Sequence, residues 1–466
     1  MKRIAIVGGG TSGLSAAFAL EQHRRAGAPL EYVLFEAGTR LGGVLRTEHV
    51  DGCVVEAGPD SFLTEKPWAA DLCRQIGLGD QLIGSNDAER KTYILLKGKL
   101  VALPDGLMFM VPTRILPVVF SSLFSLRTKL RMASEWFTKP EVRPDESVAA
   151  LVERHYGAEM VERLAEPLLS GVYGGDASQL GVRAVLPRFA QLEAEYGSLS
   201  KGMLAARKKM PPARDPRPLF TSLRNGMQEL ADSLIARLEP SSQRADCCVR
   251  EIRPEGNGWL VNAGVGCEPF DAAILAISAR SAGAMLQSTN PDLACELQAI
   301  PYTSSVTVTL SYPKEVRSLL PPGFGFLVPR SEGKSILAAT FVHNKFPFRS
   351  PADRALIRCF LGSAQPERIL GPPDEETVST VRAELRQILG LQAAPSFTRV
   401  FKWRAAMAQY TVGHLDRLER IEKLRCQLPN LALAGNGYRG IGVPDCVRSG
   451  REAAAQTLVA LGFPKP

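Results

Sequence analysis

The chain has 466 residues, 45% of them apolar and 22% charged, and a formal net charge of +8. That length exceeds one simple core and predicts two or three domains of ordinary globular composition. The basic excess fits a solvated surface, an anionic substrate or an anionic membrane face, and the lack of a basic run interleaved with aromatics speaks against nucleic acid.

The chain opens MKRIAIVGGGTSGLSAAFAL. A basic start and apolar middle imitate a signal peptide, but three consecutive glycines interrupt the middle, and a strand–turn–helix explains them. Residues 4–7, IAIV, predict a buried parallel strand. Gly8, Gly10 and Gly13 follow in GxGxxG spacing. The first permits a tight turn, the second lets backbone approach a pyrophosphate, and the third lets helix and strand pack closely. Thr11 and Ser12 open the helix, whose first N–H groups face the phosphates. A second strand, EYVLFEA, brings the Glu36 carboxylate to where a ribose donates hydrogen bonds. These features predict a dinucleotide site in a Rossmann-like α/β domain.

Residues 54–62, VVEAGPDSF, predict the next strand and loop. From residue 67 to about 210, helical patterns alternate with proline-rich breaks. Residues 107–137 are apolar and aromatic with Arg114, Arg127, Lys129 and Arg131 interspersed, which suits a helical core or a membrane-facing surface. Residues 146–169 have helical periodicity, and Gly174-Gly175 should end that pattern. Residues 197–218, basic and proline-containing, predict an exposed loop. Strand patterns return in CCVREIRP, GWLVNAG and FDAAILAIS. The alternation of SSVTVTLSYP predicts antiparallel strands of a second sheet. Near the C-terminus LALAG predicts a strand returning to the first domain, and a helix begins near Pro444. No charge-free run reaches the roughly 18 residues of a spanning helix. Nine cysteines without a CxxC pair and five histidines give no metal-ligand cluster, and suit reduced thiols in the cytoplasm.

Arg40 and the Gly42-Gly43 pair, with the 54–62 segment that contains Gly58, resemble the extended cofactor loop of the flavin amine oxidase superfamily. That resemblance implies FAD, with the arginine and open backbone at its pyrophosphate. KTYILLKGKLVALP, LAEPLLSGVYGGDASQL, GFGFLVP, WRAAMAQYTVGHLDRL and LALAGNGYRGIGV, in this order, resemble the flavin-dependent porphyrinogen oxidases. The family fold is a discontinuous FAD domain (1–66, 220–280, 405–466), an inserted mixed-sheet substrate domain (67–90, 281–404) and a helical, membrane-facing subdomain (91–219). The resemblance adds Val249, Gly435, Asn436, Gly442 and Val443 to the cofactor residues, with Val443 at the pyrimidine side of the ring. The helix that begins near Pro444 would point its positive end at the flavin. Leu327 and Phe360 match apolar and aromatic residues on the tetrapyrrole faces, and Gly174 and Gly175 a turn where a side chain would collide with substrate.

One position departs from the family. Mitochondrial-type members carry an arginine where Thr92 precedes Tyr93, so Arg90, Lys91 or Lys66 is left to meet a substrate carboxylate. This favours the bacterial coproporphyrinogen III branch over protoporphyrinogen IX. A flavin amine oxidase, with Tyr410 and Tyr438 imitating its aromatic cage, a carotenoid desaturase and a non-enzymatic tetrapyrrole carrier are the alternatives. The reaction implied is a six-electron oxidation of a porphyrinogen by dioxygen in haem biosynthesis, three two-electron turnovers of the flavin. The cofactor supplies the redox chemistry, so no general base is assigned. A downstream haem-pathway enzyme is the implied partner.

Overall fold

The structure, a computed structural model, describes residues 1–209, 217–264, 266–362 and 365–464. The chain divides into two compact units. The first comprises Met1–Ser85, Pro218–Pro301 and Asp416–Pro466; the second comprises Asn86–Arg217 and Tyr302–Leu415.

The first unit is built on a five-stranded parallel sheet. Its strands lie in the order Gln243–Arg244, Leu30–Phe35, Lys2–Val7, Ala272–Leu275 and Leu431–Leu433. Ile4, Ala5, Ile6 and Val7 are all buried, as a parallel strand covered on both faces requires. The helices Thr11–Arg25 and Val443–Ala460 share one core with it, through Leu14, Ala17 and Leu20 of the first and Val447, Ala454 and Leu458 of the second. The helix Pro67–Gln75 adds Ala69, Ala70, Leu72 and Cys73 to that core. Residues 67–85 and 281–301, which the sequence groups with the substrate region, therefore belong to the first unit. A three-stranded antiparallel sheet, Glu251–Glu255, Gly258–Asn262 and Cys267–Phe270, also belongs to it. Trp259 is fully buried there, and its Nε1 donates to the Pro429 carbonyl at 2.6 Å.

The second unit holds a seven-stranded sheet. Its strands lie in the order Phe397–Ala408, Tyr302–Pro313, Arg354–Leu361, Ile336–Phe341, Gly325–Leu327, Thr92–Leu96 and Lys99–Ala102. All neighbours run antiparallel except Gly325–Leu327 beside Thr92–Leu96, which are parallel. The alternation in Tyr302–Pro313 gives one apolar face, where Val306, Val308 and Leu310 join Phe326, Ile357 and Cys359 in a core with Val381 and Leu385 of the helix Asp374–Leu389.

Helices fill the rest of this unit. The periodic stretch 146–169 is two pieces, Val148–Tyr156 and a continuation from Ala158 to Tyr173, because Gly157 at φ +95° breaks the first. Gly174 then ends the second in the left-handed conformation. Residues 199–209, expected within a loop, form the helix Leu199–Lys209. Leu199 and Met203 are buried, so packing overrides the basic composition of the segment. The proline-rich remainder of that expected loop, 210–216, lies outside the described residues.

A buried charge cluster fastens these helices. His155, as an imidazolium, donates from Nδ1 to Glu135 Oε1 (3.2 Å) and from Nε2 to Glu193 Oε1 (3.0 Å). Arg154 bridges Glu193 and Glu146. Glu135 also accepts from the Ser198 hydroxyl at 2.9 Å and the Leu199 N–H. Burial alone would lower the His155 pKa, but hydrogen bonds to the two carboxylates raise it. Burial likewise opposes ionisation of Glu193, and His155 and Arg154 overcome it, holding the carboxyl at about 2. The imidazolium therefore stabilises the fold fully below its ordinary pKa, and that contribution is lost as pH rises through the raised value. The carboxylates contribute above their ordinary pKa and lose this as pH falls through their lowered values, for Glu193 about 2. The expected result is a melting temperature that declines above neutrality. His155→Leu, which strands two buried carboxylates, should cost about 3–5 kcal/mol near pH 6 and flatten that alkaline decline. Thermal melts of both proteins between pH 6 and 10 check this.

Candidate active site

The first glycine turn is shaped by what each glycine touches. Gly8 has φ +107°, and a Cβ there would lie 2.5 Å from the Ala276 carbonyl oxygen. A Cβ on Gly13 would lie 1.8 Å from the Gly8 carbonyl oxygen, so helix Thr11–Arg25 can start only against bare backbone. Gly10 differs: no heavy atom lies within 4 Å of where its Cβ would stand. The helix it caps has no capping side chain and no acid in its first turn. Its first N–H groups and positive dipole end are therefore offered to an anion, beside a cradle that a side chain would fill.

Glu36 supports this turn directly. Its Oε2 accepts from the Gly9 N–H and its Oε1 from the Gly38 N–H, both at 2.7 Å. The second glycine pair packs on the first turn: the Gly42 N–H donates to the Gly9 carbonyl at 2.8 Å, and a Cβ on Gly43 would meet the Gly10 Cα at 3.0 Å. Arg40, expected at a pyrophosphate, has another occupation. Its Nη1 donates to Leu41 O, and its Nη2 to Gly43 O and Leu45 O, so the guanidinium folds its own loop. Burial, reinforced by Arg46, lowers its pKa. Gly58 packs against this loop, its Cβ position 2.0 Å from Val44 O. Val249 is buried at the end of a segment tied to Glu36 and Gly38 by the N–H groups of Cys247 and Asp246.

The C-terminal turn is held by the same unit. Thr11 and Ser12 are buried, and the Ser12 hydroxyl donates to Cys446 O at 3.0 Å. The Gly435 N–H donates to the Ser449 hydroxyl at 3.1 Å. Asn436 is half-buried in the turn. Gly442 caps the helix Val443–Ala460, and Val443 lies in the core. The positive end of this helix, expected to point at the flavin, carries a carboxylate: Asp445 sits in the first turn, and Lys66 donates to its Oδ2 at 2.7 Å. Lys66, expected to await a substrate carboxylate, is ion-paired with a residue 379 positions away in the same unit.

In the second unit the strand register gathers three of the expected substrate residues. Leu327 pairs with Ala338, and Ala338 with Phe360. Thr92 pairs with Gly325, two residues before Leu327. Directly paired residues share a face and side chains alternate, so Thr92, Leu327 and Phe360 lie on the face opposite the Phe326–Ala339–Cys359 core row. All three are half-buried. Arg358 shares that face and stacks on the Phe360 ring at 4.7 Å; Arg399 lies in the Thr92 row. The sequence signal for Arg358 is its spacing of two from Phe360 in RALIRCFL, which assigns both to one face.

Gly174 and Gly175 have reasons of their own to be glycine. Gly174 ends its helix at φ +59°, and a Cβ on Gly175 would strike Gln409 Oε1 at 1.9 Å. Gln409 Nε2 donates to Tyr173 O (2.7 Å) and to the Thr303 hydroxyl (2.9 Å), fixing this turn. Nothing in the WRAAMAQY pattern marks it, because its partners lie far away in sequence. Across the same helix, Leu327 comes within 3.5 Å of the Gly171 Cβ position. Among the described residues no group of three or more acidic, histidine or cysteine side chains could hold a metal.

Comparison with known proteins gives this geometry a context. The family model described as flavin containing amine oxidoreductase matches residues 11–458. The coproporphyrinogen III oxidase of Bacillus subtilis is 31% identical, over 99% of this chain and 98% of that protein. The crystal structure of a candidate protoporphyrinogen oxidase from Exiguobacterium superposes with a TM-score of 0.87 at 32% identity, covering 99% of each chain. Cyclohexylamine oxidase from Brevibacterium oxydans shares the fold, with a TM-score of 0.70 at 19% identity and 99% of each chain covered. The chain belongs to the flavin-containing amine oxidoreductase family, and its cofactor is FAD. The open Gly10 cradle and uncapped helix fit a pyrophosphate. Gly10→Val should therefore fold with a near-normal apo melting temperature yet purify without bound flavin. Gly13→Val, which drives a side chain into backbone, should instead lose several kcal/mol of stability. Flavin absorbance and thermal melts of the two variants separate these outcomes.

Proposed function

We propose that this family member oxidises a porphyrinogen to the corresponding porphyrin with dioxygen as acceptor, and that its substrate is coproporphyrinogen III. The observation that carries this reading is the end-to-end likeness to a protein of that name. The face of the second unit's sheet agrees with it. Leu327 and Phe360 offer apolar and aromatic surface for a macrocycle, and Arg358 and Arg399 add positive charge for its carboxylates. Thr92 stands where an arginine would meet a substrate carboxylate in the mitochondrial type. Coproporphyrinogen carries four propionates and protoporphyrinogen two, so the cations must be arranged differently, and the sheet face supplies them from other strands of the Thr92 row.

In this reading the first unit is the FAD domain and the second the substrate domain. The N-terminal turn (Gly8, Gly10, Thr11, Ser12, Gly13) holds the pyrophosphate, and Glu36 and Val249 flank the adenosine. Arg40, Gly42, Gly43 and Gly58 shape the loop over the pyrophosphate, and Gly435, Asn436, Gly442 and Val443 carry the ring. FAD, when bound, accepts two electrons at a time, so full aromatisation needs three turnovers. The chain's own contribution is to orient the macrocycle, to exclude water and to fix its carboxylates. Gln409 contributes by holding the Gly174-Gly175 turn beside Leu327. A haem-pathway enzyme that accepts the porphyrin is the partner class this implies. Mixing the holoprotein aerobically with coproporphyrinogen III and, separately, protoporphyrinogen IX should give porphyrin fluorescence above autoxidation, faster with the former by at least tenfold. Equal rates, or a preference for the latter, would reassign the substrate; no enzyme-dependent fluorescence with either would sink the reading.

A peripheral membrane contact is the second part of the proposal. No helix among the described residues is long and apolar enough to cross a membrane. In the stretch 107–137, however, Leu116, Phe120, Leu126, Leu130 and Phe137 are exposed, Phe120 by 83% and Phe137 by 79%. Arg114, Arg127 and Arg131 are exposed among them. Apolar side chains ringed by cations suit the headgroup boundary of an anionic leaflet. The protein should sediment with vesicles containing anionic lipid, more weakly at high salt. Replacing Phe120 and Phe137 together by Glu should reduce that binding at least tenfold while leaving flavin content unchanged.

A further inference from the structure

The turn that carries the flavin ring in the reading above is bent around a carboxylate. Asp445 belongs to the first turn of the helix Val443–Ala460, and its side chain is only 4% exposed. A Cβ on Gly440 would lie 2.5 Å from its Oδ1, and one on Gly442 3.3 Å from its Oδ2. The loop therefore follows the carboxylate closely, and Gly440, at φ +107°, takes a conformation that glycine alone adopts freely. Lys66 reaches the same carboxylate from the start of helix Pro67–Gln75 at 2.7 Å. Arg448, one turn along, is 3.6 Å from Oδ1 and lies over the Trp68 ring at 4.5 Å.

This arrangement differs from that at the pyrophosphate turn, where the helix starts without cap or acid. There a fixed dianionic group is met by an uncompensated positive end. At the ring turn the helix end carries a buried negative charge, and that charge is answered by a lysine from a different part of the unit. A ring that gains negative charge on reduction feels the field of both partners. We propose that Lys66 and Asp445 are a positioning and potential-setting pair for the bound flavin: the carboxylate shapes the turn, and the ammonium cancels its charge so that the reduced ring is tolerated. The proposal rests on the reading that the 435–443 turn carries the ring.

The test uses holoprotein and reads the reduction potential of the bound FAD, which a purely structural pair would not move in opposite directions. Lys66→Met leaves the carboxylate answered only by the more distant Arg448, so reduced FAD should bind at least tenfold more weakly relative to oxidised FAD, a fall of about 30 mV for a two-electron couple. Asp445→Asn leaves Lys66 and Arg448 unopposed and should raise the potential by a similar amount. The double variant should return to within that margin of the parent, and Lys66→Arg, which keeps the charge, should leave it unchanged. Shifts of the same sign in both single variants, or no shift in either, overturn the proposal. If Asp445→Asn does not fold, the contrast between Lys66→Met and Lys66→Arg decides alone. Gly442→Val serves as the control for the underlying reading. If the flavin absorption band ignores that variant too, the ring does not rest on this turn; if the band responds to Gly442→Val while the pair has no effect on potential, only the proposal fails.

Discussion

The first unit depends on two contacts that bring backbone directly against backbone. Gly13 starts the first helix with its α-carbon against the Gly8 carbonyl, and Gly450 brings the terminal helix against the Ser12 carbonyl, where a Cβ would lie 2.1 Å away. A methyl group at either place would separate elements that the rest of the sheet requires to touch. Because both contacts fall on one helix, the turn after the first strand and the turn after the last are fixed to a common support. The Ser12 hydroxyl reinforces this by donating to Cys446 O. An N-terminal loop and a C-terminal loop can then serve one ligand with little freedom between them. Of the intervening chain, Ala272–Leu275 lies between the first and last of these strands, and Asn86–Arg217 and Tyr302–Leu415 build the second unit.

Much of this was legible because it is local. A strand, three glycines at fixed spacing, a helix and an acid about 27 residues on from the turn act within one supersecondary element, and the hydrogen bond from Gly9 to Glu36 joins its two ends. The alternation of Tyr302–Pro313 was equally legible, since a period of two needs only neighbouring residues. The helix Leu199–Lys209 was not, because its basic composition concealed the two side chains, Leu199 and Met203, that its packing uses. Hydrophobic periodicity over so short a segment is a weak signal beside charge and proline.

What composition and spacing could not reveal were partnerships across long separations. Lys66 and Asp445 are 379 residues apart, and Gln409 reaches Tyr173 over 236. No local pattern distinguishes a lysine that will be paired from one that will meet a substrate. The same limit applies to Arg40: its position by the glycine pair was readable, but only the folded loop shows that its nitrogens serve three carbonyls. A motif records which residue recurs and not which atom it touches, so resemblance could not show these hydrogen bonds.

The corrections have a common direction. Arg40 and Lys66 were each expected to face a ligand, and in the first unit the one binds the carbonyls of its own loop and the other the Asp445 carboxylate. A site whose chemistry is supplied by a cofactor has this need. It must hold a large planar ring and a large macrocycle in a set geometry, and small errors of position are costly when the protein contributes orientation rather than a reacting group. Side chains locked by several hydrogen bonds meet that need better than side chains free to follow the ligand. The buried Asp445 carboxylate shows the cost of the solution: shaping a tight turn with a charged group introduces a field where the reacting ring would rest. A lysine drawn from a distant helix restores neutrality without giving up the shape.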